Sequence, residues 1–159
     1  MPQEIERKFL LKDETWRSET QSSHLIVQGY FETAPGLTLR VRTMGQQAFL
    51  TLKGKSVGIT RSEFEYEIPH ADALLMLKEF CGARIVKKNR HKVIHKDHTW
   101  EIDEFDGENA GLIVAEIELK HENETFEKPP WVGSDVSHDK RYTNAALSKK
   151  PYQKWNTES

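Results

Sequence analysis

Polar and apolar residues alternate along most of this chain, and the alternation has a period of two. In the first such segment, residues 3–11, the apolar Ile5 is flanked by charged positions: Glu4, Glu6 and Lys8. Successive side chains of a strand point to opposite faces, so the pattern predicts a strand with one charged and one apolar face. A single strand of this kind is typical of a sheet with one solvated face.

The same period predicts seven further strands, at about residues 24–33, 37–44, 48–54, 59–68, 84–95, 98–106 and 112–121. Helical spacing predicts a helix over 71–81, ended by Gly82, another over 137–147, and a short helix at Trp16. Residues 122–135 are expected to form a loop, and residues 148–159 a loose tail. Antiparallel strands joined by short turns favour a mainly β (α+β) fold, a closed eight-stranded barrel with helices outside, as one domain over 1–159.

Charged residues fall on one face of nearly every predicted strand. If these faces share one surface, its basic members are Lys8, Arg40, Arg42, Lys53, Arg61, Lys88 and Arg90. Its acidic members are Glu4, Glu6, Glu63, Glu65, Glu101, Asp103, Glu116 and Glu118. This surface is either the solvated face of a sandwich or the polar interior of a barrel whose apolar exterior is covered by the helices. Like-charged neighbours on one strand are unfavourable unless a partner or ligand offsets them, which favours the barrel.

Composition narrows the class of protein. Of the 159 residues, 30% are charged, yet the net charge is only −2, which argues against a general nucleic-acid or membrane-surface binder. The single cysteine, Cys81, excludes a disulfide within the chain and is expected to pack as a small hydrophobe. No signal-peptide pattern and no apolar run of about 20 residues is present, so we expect a cytoplasmic protein.

The predicted lining suits a particular ligand chemistry. Arginine and lysine groups that face one cavity would hold a small, densely charged anion such as a polyphosphate. Carboxylates from separate strands suit a hard divalent cation, Mg²⁺ or Mn²⁺. The scattered histidines show no ligand spacing and disfavour zinc. Together the two sets indicate a metal-bound polyphosphate, in which the metal activates a water molecule.

An ordered set of motifs matches this pattern: Glu4-Ile-Glu6-Arg-Lys8, Arg40-Val-Arg42, Thr51-Leu-Lys53-Gly54, Arg61-Ser-Glu63-Phe-Glu65, Lys88-Asn-Arg90, Trp100-Glu101-Ile-Asp103, Ala115-Glu116-Ile-Glu118-Leu and Asp139-Lys140-Arg141-Tyr142-Thr-Asn144. In this order they resemble the CYTH superfamily, the triphosphate tunnel metalloenzymes. One Glu-x-Glu-x-Lys motif is unspecific, whereas the ordered set is specific and extends to about Leu147.

The resemblance implies an eight-stranded antiparallel tunnel, a triphosphate substrate and a divalent metal. It assigns phosphate binding to the seven basic residues above. Lys140 is a further candidate for phosphate binding, and it either reaches the tunnel mouth or begins a solvated helix. It assigns metal binding to Glu4, Glu6, Glu63, Glu65, Asp103, Glu116 and Glu118. The expected catalytic residues are Glu4, Glu6, Lys8 and Glu116.

The Ile-Glu-Arg-Lys-Phe-Leu start at residues 5–10 resembles that of short bacterial members, the inorganic tripolyphosphatases. We therefore expect hydrolysis of tripolyphosphate to pyrophosphate and phosphate. The alternatives are an adenylate cyclase, a nucleotide or thiamine triphosphatase, and a non-catalytic polyphosphate-binding module. A homodimer formed through the apolar outer faces also stays open.

Overall fold

Nine antiparallel strands and two α-helices form the fold, in a computed structural model that describes residues 2–157. The strands are β1 (Gln3–Leu11), β2 (Ser22–Tyr30), β3 (Thr38–Met44), β4 (Gln47–Lys53), β5 (Thr60–Glu67), β6 (Ile85–His95), β7 (His98–Phe105), β8 (Ile113–Glu118) and β9 (Val132–Asp135). The helices are α1 (His70–Phe80) and α2 (Asn144–Lys149). Short 3-10 helices cover Thr15–Glu19, Gly107–Asn109, Lys140–Tyr142 and Tyr152–Thr157. None of the helices in this range is long and apolar enough to cross a bilayer.

Eight of these strands close into a barrel. Their order is β5-β4-β3-β2-β6-β7-β8-β1, and β1 pairs with β5 to complete the ring. The closing contact is short, because only residues 3–5 of β1 pair with residues 60–62 of β5. Residues 6–10 of β1 pair with β8. The predicted closed eight-stranded antiparallel barrel is confirmed.

The ninth strand, β9, lies outside this ring and pairs with the end of β1, where Phe9 faces Asp135 and Leu11 faces Val132. The expectation of a loop over 122–135 is therefore wrong for its last four residues. Gly133 permits the close approach, because a Cβ there would lie 2.9 Å from the backbone oxygen of Leu10.

The apolar faces of β1, β7 and β8 point away from the barrel interior. Phe9, Trp100 and Trp131 are fully buried on this side, and the rings of Trp100 and Trp131 meet edge to face with centroids 5.7 Å apart. The cover consists of the 3-10 helix that carries Trp16, the loop that carries Phe126, and β9. The exterior is apolar as expected, but on this side a 3-10 helix, a loop and a short strand cover it rather than an α-helix.

The helix α1 covers the opposite side of the barrel. Ala73 of α1 and Cys81 pack against Val41 and Ala48 on the outward faces of β3 and β4. Gly29 of β2 lets the helix end approach, because a Cβ there would lie 2.7 Å from the Sγ of Cys81. Burial raises the pKa of the Cys81 thiol, as fits a cysteine that packs as a small hydrophobe.

One end of the barrel interior is apolar rather than charged. Val86, Phe105 and Val114 have the same strand parity as the charged residues, which means that they occupy the alternate strand positions that face the barrel interior. They pack against Tyr142 and Leu147. These last two residues belong to residues 139–155, which we term the closing segment. It closes this end of the barrel.

The closing segment differs from its prediction. A 3-10 helix followed by the short α2 replaces the helix expected over 137–147. The part expected to be a loose tail is packed: Ser148 is buried, and the ring of Trp155 lies 5.1 Å from that of Tyr142. Residues 158 and 159 of that tail lie outside the described residues.

Candidate active site

The centre of the barrel encloses a cavity of about 200 Å³, which we term the tunnel. It is lined by all seven basic residues predicted from strand parity: Lys8, Arg40, Arg42, Lys53, Arg61, Lys88 and Arg90. Seven of the eight acidic residues also line it: Glu4, Glu6, Glu63, Glu65, Glu101, Glu116 and Glu118. Strand parity therefore predicted the wall of this cavity, and the strand register decides which charges meet.

The register brings carboxylates of neighbouring strands together. Glu6 of β1 lies opposite Glu118 of β8, and Glu116 lies opposite Glu101 of β7. Directly opposed like charges destabilise a sheet unless cations compensate them. Two cations lie beside them: Arg90 is 3.4 Å from a Glu116 oxygen and 3.3 Å from a Glu101 oxygen, and the Nζ of Lys8 is 3.5 Å from a Glu116 oxygen and 3.8 Å from a Glu6 oxygen.

Glu4, another carboxylate of the tunnel, is well neutralised by neighbouring cations. The Nζ of Lys53 donates to both of its oxygens, at 3.2 and 3.1 Å, and the Nε of Arg61 donates at 3.4 Å. Burial alone would raise the pKa of Glu4, but the positive charge of Lys53, with a smaller contribution from Arg61, lowers it from 4.5 to about 2. Glu4 is therefore ionised at neutral pH.

Glu6 has the opposite electrostatics. Burial and then the negative charges of Glu116 and Glu4 raise the pKa of Glu6 from 4.5 to about 8, against the attraction of Lys8. The pKa of Glu118 is also raised, by burial and then by the charges of Glu4 and Glu101. These carboxylates carry more negative charge than the neighbouring lysines offset, so a bound cation would stabilise them.

Asp103 is the acidic residue that does not line the tunnel. It is fully buried, and its two oxygens accept hydrogen bonds from Arg90 at 2.8 Å (Nε) and 2.9 Å (Nη2). The Nζ of Lys88 lies 2.8 Å from the same carboxylate. The expected role of Asp103 as a metal ligand is therefore not supported by its surroundings, since it does not line the tunnel and both of its oxygens face cations. Glu101, of the same parity, reaches the cavity in its place.

Burial and the charge of Asp103 shift the pKa values of its two cationic partners, Lys88 and Arg90. Burial lowers the pKa of Lys88 from 10.5 to about 8, although the charge of Asp103 opposes this. Burial would also lower the pKa of Arg90, but Asp103 and Glu116 raise it well above the usual value. The guanidinium of Arg90 is thus fixed in one orientation at the tunnel wall.

Arg40 and Arg42 form the basic doublet on β3. Their Nη2 atoms lie 3.5 and 3.3 Å from the same oxygen of Glu65. The Nε atoms of both arginines are buried without a hydrogen-bond partner among the described residues. One half-exposed carboxylate thus faces two guanidinium groups, which leaves positive charge available to an anion.

Four further residues line the tunnel: Tyr30, Thr38, Asn144 and Ala145. Tyr30 and Thr38 share the inward parity of their strands, which is the signal that could have identified them. Asn144 and Ala145 come from the closing segment, whose position depends on tertiary packing. No periodicity in the sequence marks them as tunnel residues.

Lys140 is not brought to the tunnel. Its side chain is exposed and lines a surface hollow with Asp135, His138 and Asp139. The position corresponds to the solvated-helix alternative considered for this residue.

The histidines also lie away from the tunnel wall. His91 contacts Glu104 at 3.1 Å, and His98 contacts Glu124 at 2.6 Å. Across residues 2–157, no three histidine, cysteine, aspartate or glutamate side chains are already arranged as a metal site. Lysines and arginines separate the tunnel carboxylates instead. The donor chemistry nevertheless fits a hard divalent cation, because these ligands are all oxygens and Glu6 and Glu118 are under-neutralised.

Comparisons with known proteins agree with this architecture. The family model for the CYTH domain matches residues 2–150. A protein of Acetivibrio thermocellus named inorganic triphosphatase is 43% identical over 153 residues, which cover 96% of this chain and 97% of that protein. A Nitrosomonas europaea protein of the same name is 33% identical over 148 residues, which cover 91% of this chain and 96% of that protein.

Solved structures show the same fold. The crystal structure of an inorganic triphosphatase superposes with a TM-score of 0.67 at 32% identity, covering 93% of this chain and 95% of that one. A Pyrococcus horikoshii protein superposes with a TM-score of 0.60 at 23% identity, covering 76% and 80% of the two chains. At 23% identity, this second match supports the fold alone.

Proposed function

This chain belongs to the CYTH domain family, and we propose that it is a divalent-metal-dependent inorganic triphosphatase that cleaves tripolyphosphate to pyrophosphate and phosphate. The observation that carries the proposal is a tunnel of about 200 Å³ lined by seven basic and seven acidic side chains. A volume of this order suits a compact ligand, and the high charge of both signs suits a polyanion that binds with a metal cation. The 43% identity to a protein named inorganic triphosphatase supports the same substrate.

The basic residues bind the phosphate chain in this proposal. Lys8, Arg40, Arg42, Lys53, Arg61, Lys88 and Arg90 donate to phosphate oxygens, and the arginines do so in a bidentate manner. Several of them now face carboxylates, such as Lys53 beside Glu4 and Arg42 beside Glu65. A triphosphate would therefore replace part of an existing set of ion pairs, which limits the electrostatic gain of binding without metal.

The acidic residues hold the cation and orient water. Glu4, Glu6, Glu63, Glu116 and Glu118 offer oxygen ligands, with Mg²⁺ or Mn²⁺ as the expected metal and Glu65 and Glu101 at the edges of the set. When bound, the metal neutralises phosphate charge and makes a water molecule more acidic.

The reaction is an in-line displacement. A water oxygen, oriented by Glu6 or Glu116, bonds to the terminal phosphorus while the bond to the bridging oxygen breaks, so that phosphate and pyrophosphate form. The guanidinium and ammonium groups stabilise the negative charge that develops on the leaving pyrophosphate. Lys8, close to both Glu6 and Glu116, offsets part of their negative charge.

The test measures phosphate release from tripolyphosphate with Mg²⁺, with Mn²⁺ and with EDTA. We expect release with a metal and none with EDTA. Glu116→Gln should abolish release while the variant stays folded. Metal-dependent release that persists in both Glu6→Gln and Glu116→Gln would contradict the mechanism.

A second candidate is hydrolysis of a nucleoside or thiamine triphosphate. One observation favours it: a second cavity of about 280 Å³ adjoins the tunnel and shares Tyr30, Thr38 and Ala145 with it. This cavity adds Phe31 and Leu37, which could contact an aromatic ring. Faster turnover of ATP or thiamine triphosphate than of tripolyphosphate in the same assay would favour this candidate.

A further inference from the structure

The closing segment contacts two of the ammonium groups in the tunnel. The Oδ1 of Asn144 accepts a hydrogen bond from the Nζ of Lys88 at 3.0 Å. The backbone oxygen of Tyr142 accepts one from the Nζ of Lys8 at 3.4 Å. A segment that closes the apolar end of the barrel therefore also takes part in the charged site.

The contact with Lys88 fixes which way the Asn144 carboxamide points. An ammonium group only donates hydrogen bonds, so the carboxamide oxygen must face Lys88 and the amino group must face away. Asn144 also lines the tunnel, and its Nδ2 has no hydrogen-bond partner within residues 2–157. A neutral donor with two N–H groups is thus available beside the basic residues.

Lys88 is held by two acceptors at once. Its Nζ lies 2.8 Å from the Oδ2 of Asp103 and 3.0 Å from the Oδ1 of Asn144. An ammonium has three N–H groups, so one donor is left for a ligand in the tunnel. Asn144 and Asp103 together therefore determine the direction of that donor.

We propose that Asn144 is a substrate-binding and positioning residue, whose Oδ1 orients the Lys88 ammonium and whose Nδ2 donates to a phosphate oxygen of the bound triphosphate. This inference rests on the proposed triphosphatase function. It assigns a binding role to the closing segment, so the phosphate site is complete only when residues 139–155 have packed onto the barrel.

Two substitutions separate the two roles of Asn144. Asn144→Asp has nearly the same shape and keeps an acceptor for Lys88, but it loses the Nδ2 donor and adds negative charge. Asn144→Ala loses both functions. We expect both variants to bind tripolyphosphate at least about tenfold more weakly in calorimetry with EDTA, since a hydrogen bond to a charged group is lost. In metal-containing assays, KM should rise more than kcat falls.

The matched control is Asn89→Asp. Asn89 follows Lys88 on β6, so it lies on the outward face of the strand, opposite Leu25 and Glu104 in the register. It receives the same change of charge, and its tripolyphosphate affinity should stay at the wild-type value. Thermal denaturation of all variants checks folding. If Asn144→Asp does not fold, Asn144→Ser takes its place and should bind more tightly than Asn144→Ala, because its hydroxyl can donate.

The outcomes distinguish this inference from the proposed function. Wild-type affinity in Asn144→Asp, with weak binding in Asn144→Ala, would overturn the substrate contact and leave only the positioning of Lys88. Wild-type affinity in both variants would overturn both roles. A wild-type chain that binds tripolyphosphate but releases no phosphate would contradict the proposed function and not this one. A chain that binds no tripolyphosphate, either in EDTA or with Mg²⁺, would contradict both.

Discussion

Replacement of Asp103 by asparagine should destabilise the barrel strongly. Asp103 is fully buried and is the shared partner of two buried cations, Arg90 and Lys88, at 2.8 to 2.9 Å. Asparagine has the same shape but places an amino group where a carboxylate oxygen accepted hydrogen bonds. Lys88 then stays in the interior without its counter-ion, and Arg90 keeps only the longer contacts with Glu101 and Glu116, at 3.3 and 3.4 Å.

The structure sets the scale of the effect. Removing one partner of a buried ion pair costs about 3–5 kcal/mol. For a domain of this length each kcal/mol shifts the melting temperature by about 2–4 °C, so Asp103→Asn should melt about 6–20 °C lower. The pKa of Asp103 lies well below its usual value, because the charges of Arg90 and Lys88 outweigh the effect of burial. Its contribution is therefore present above the unfolded-state pKa, about 3.9, and shrinks as the pH falls below it.

Calorimetric melting and urea unfolding, both in EDTA, measure this loss. Glu104→Gln is the control, because Glu104 lies on the outward face of the same strand and pairs with the partly exposed Arg17 at 2.8 Å. Such a pair contributes about 0–1 kcal/mol. If Asp103→Asn melted within about 3 °C of the wild type and instead lost its affinity for divalent cations, the structural role would be refuted and the expected metal role restored.

Three further outcomes follow from the same structure. Gly29→Val should lower stability by about 1–3 kcal/mol in urea unfolding, because its Cβ would lie 2.7 Å from the Sγ of Cys81; an unchanged midpoint would contradict this close packing. Lys140→Ala should leave kcat/KM within about twofold of wild type, since its exposed side chain lies outside the tunnel, and a large rise in KM would return it to the phosphate site. In EDTA, the difference in melting temperature between Glu6→Gln and the wild type should shift in favour of the variant as the pH rises from 5 to 8. The pKa of Glu6 is raised to about 8 in the folded state, so over that range the folded wild type binds more protons than its unfolded chain. The stability of the wild type therefore falls as the pH rises, and a difference in melting temperature that is independent of pH would be inconsistent with that pKa.

The barrel was predictable from the sequence because the alternation of charged and apolar residues lies within each strand. Alternation such as Glu4, Ile5, Glu6 specifies which side chains share a face, and the parity holds through all eight strands of the ring. Parity does not specify how far along the barrel interior each side chain lies, and therefore whether it reaches the cavity. Asp103 and Glu101 have equal parity, yet only Glu101 reaches the cavity, since this position depends on the register between strands.

The features that the sequence did not reveal depend on tertiary packing. The short strand β9 follows two prolines and contains Gly133, so its residues read as a loop until β1 lies beside them. From Ser148 onward the closing segment has the composition of a polar tail, and its packing on the barrel depends on aromatic contacts such as that of Trp155 with Tyr142. Asn144 enters the tunnel only as a result of that packing.

The strand β1 precedes all of its pairing partners in the chain. Its partners in the ring are residues 60–62 and residues 114–118, so the ring cannot close until β8 has left the ribosome. Contacts so distant in sequence slow folding, and an unpaired apolar strand that waits for them is prone to aggregate. The charges of Glu4, Glu6 and Lys8 keep one face of β1 hydrated during this delay. We therefore expect the residues proposed to act on the substrate also to limit aggregation of the nascent chain before the tunnel has formed.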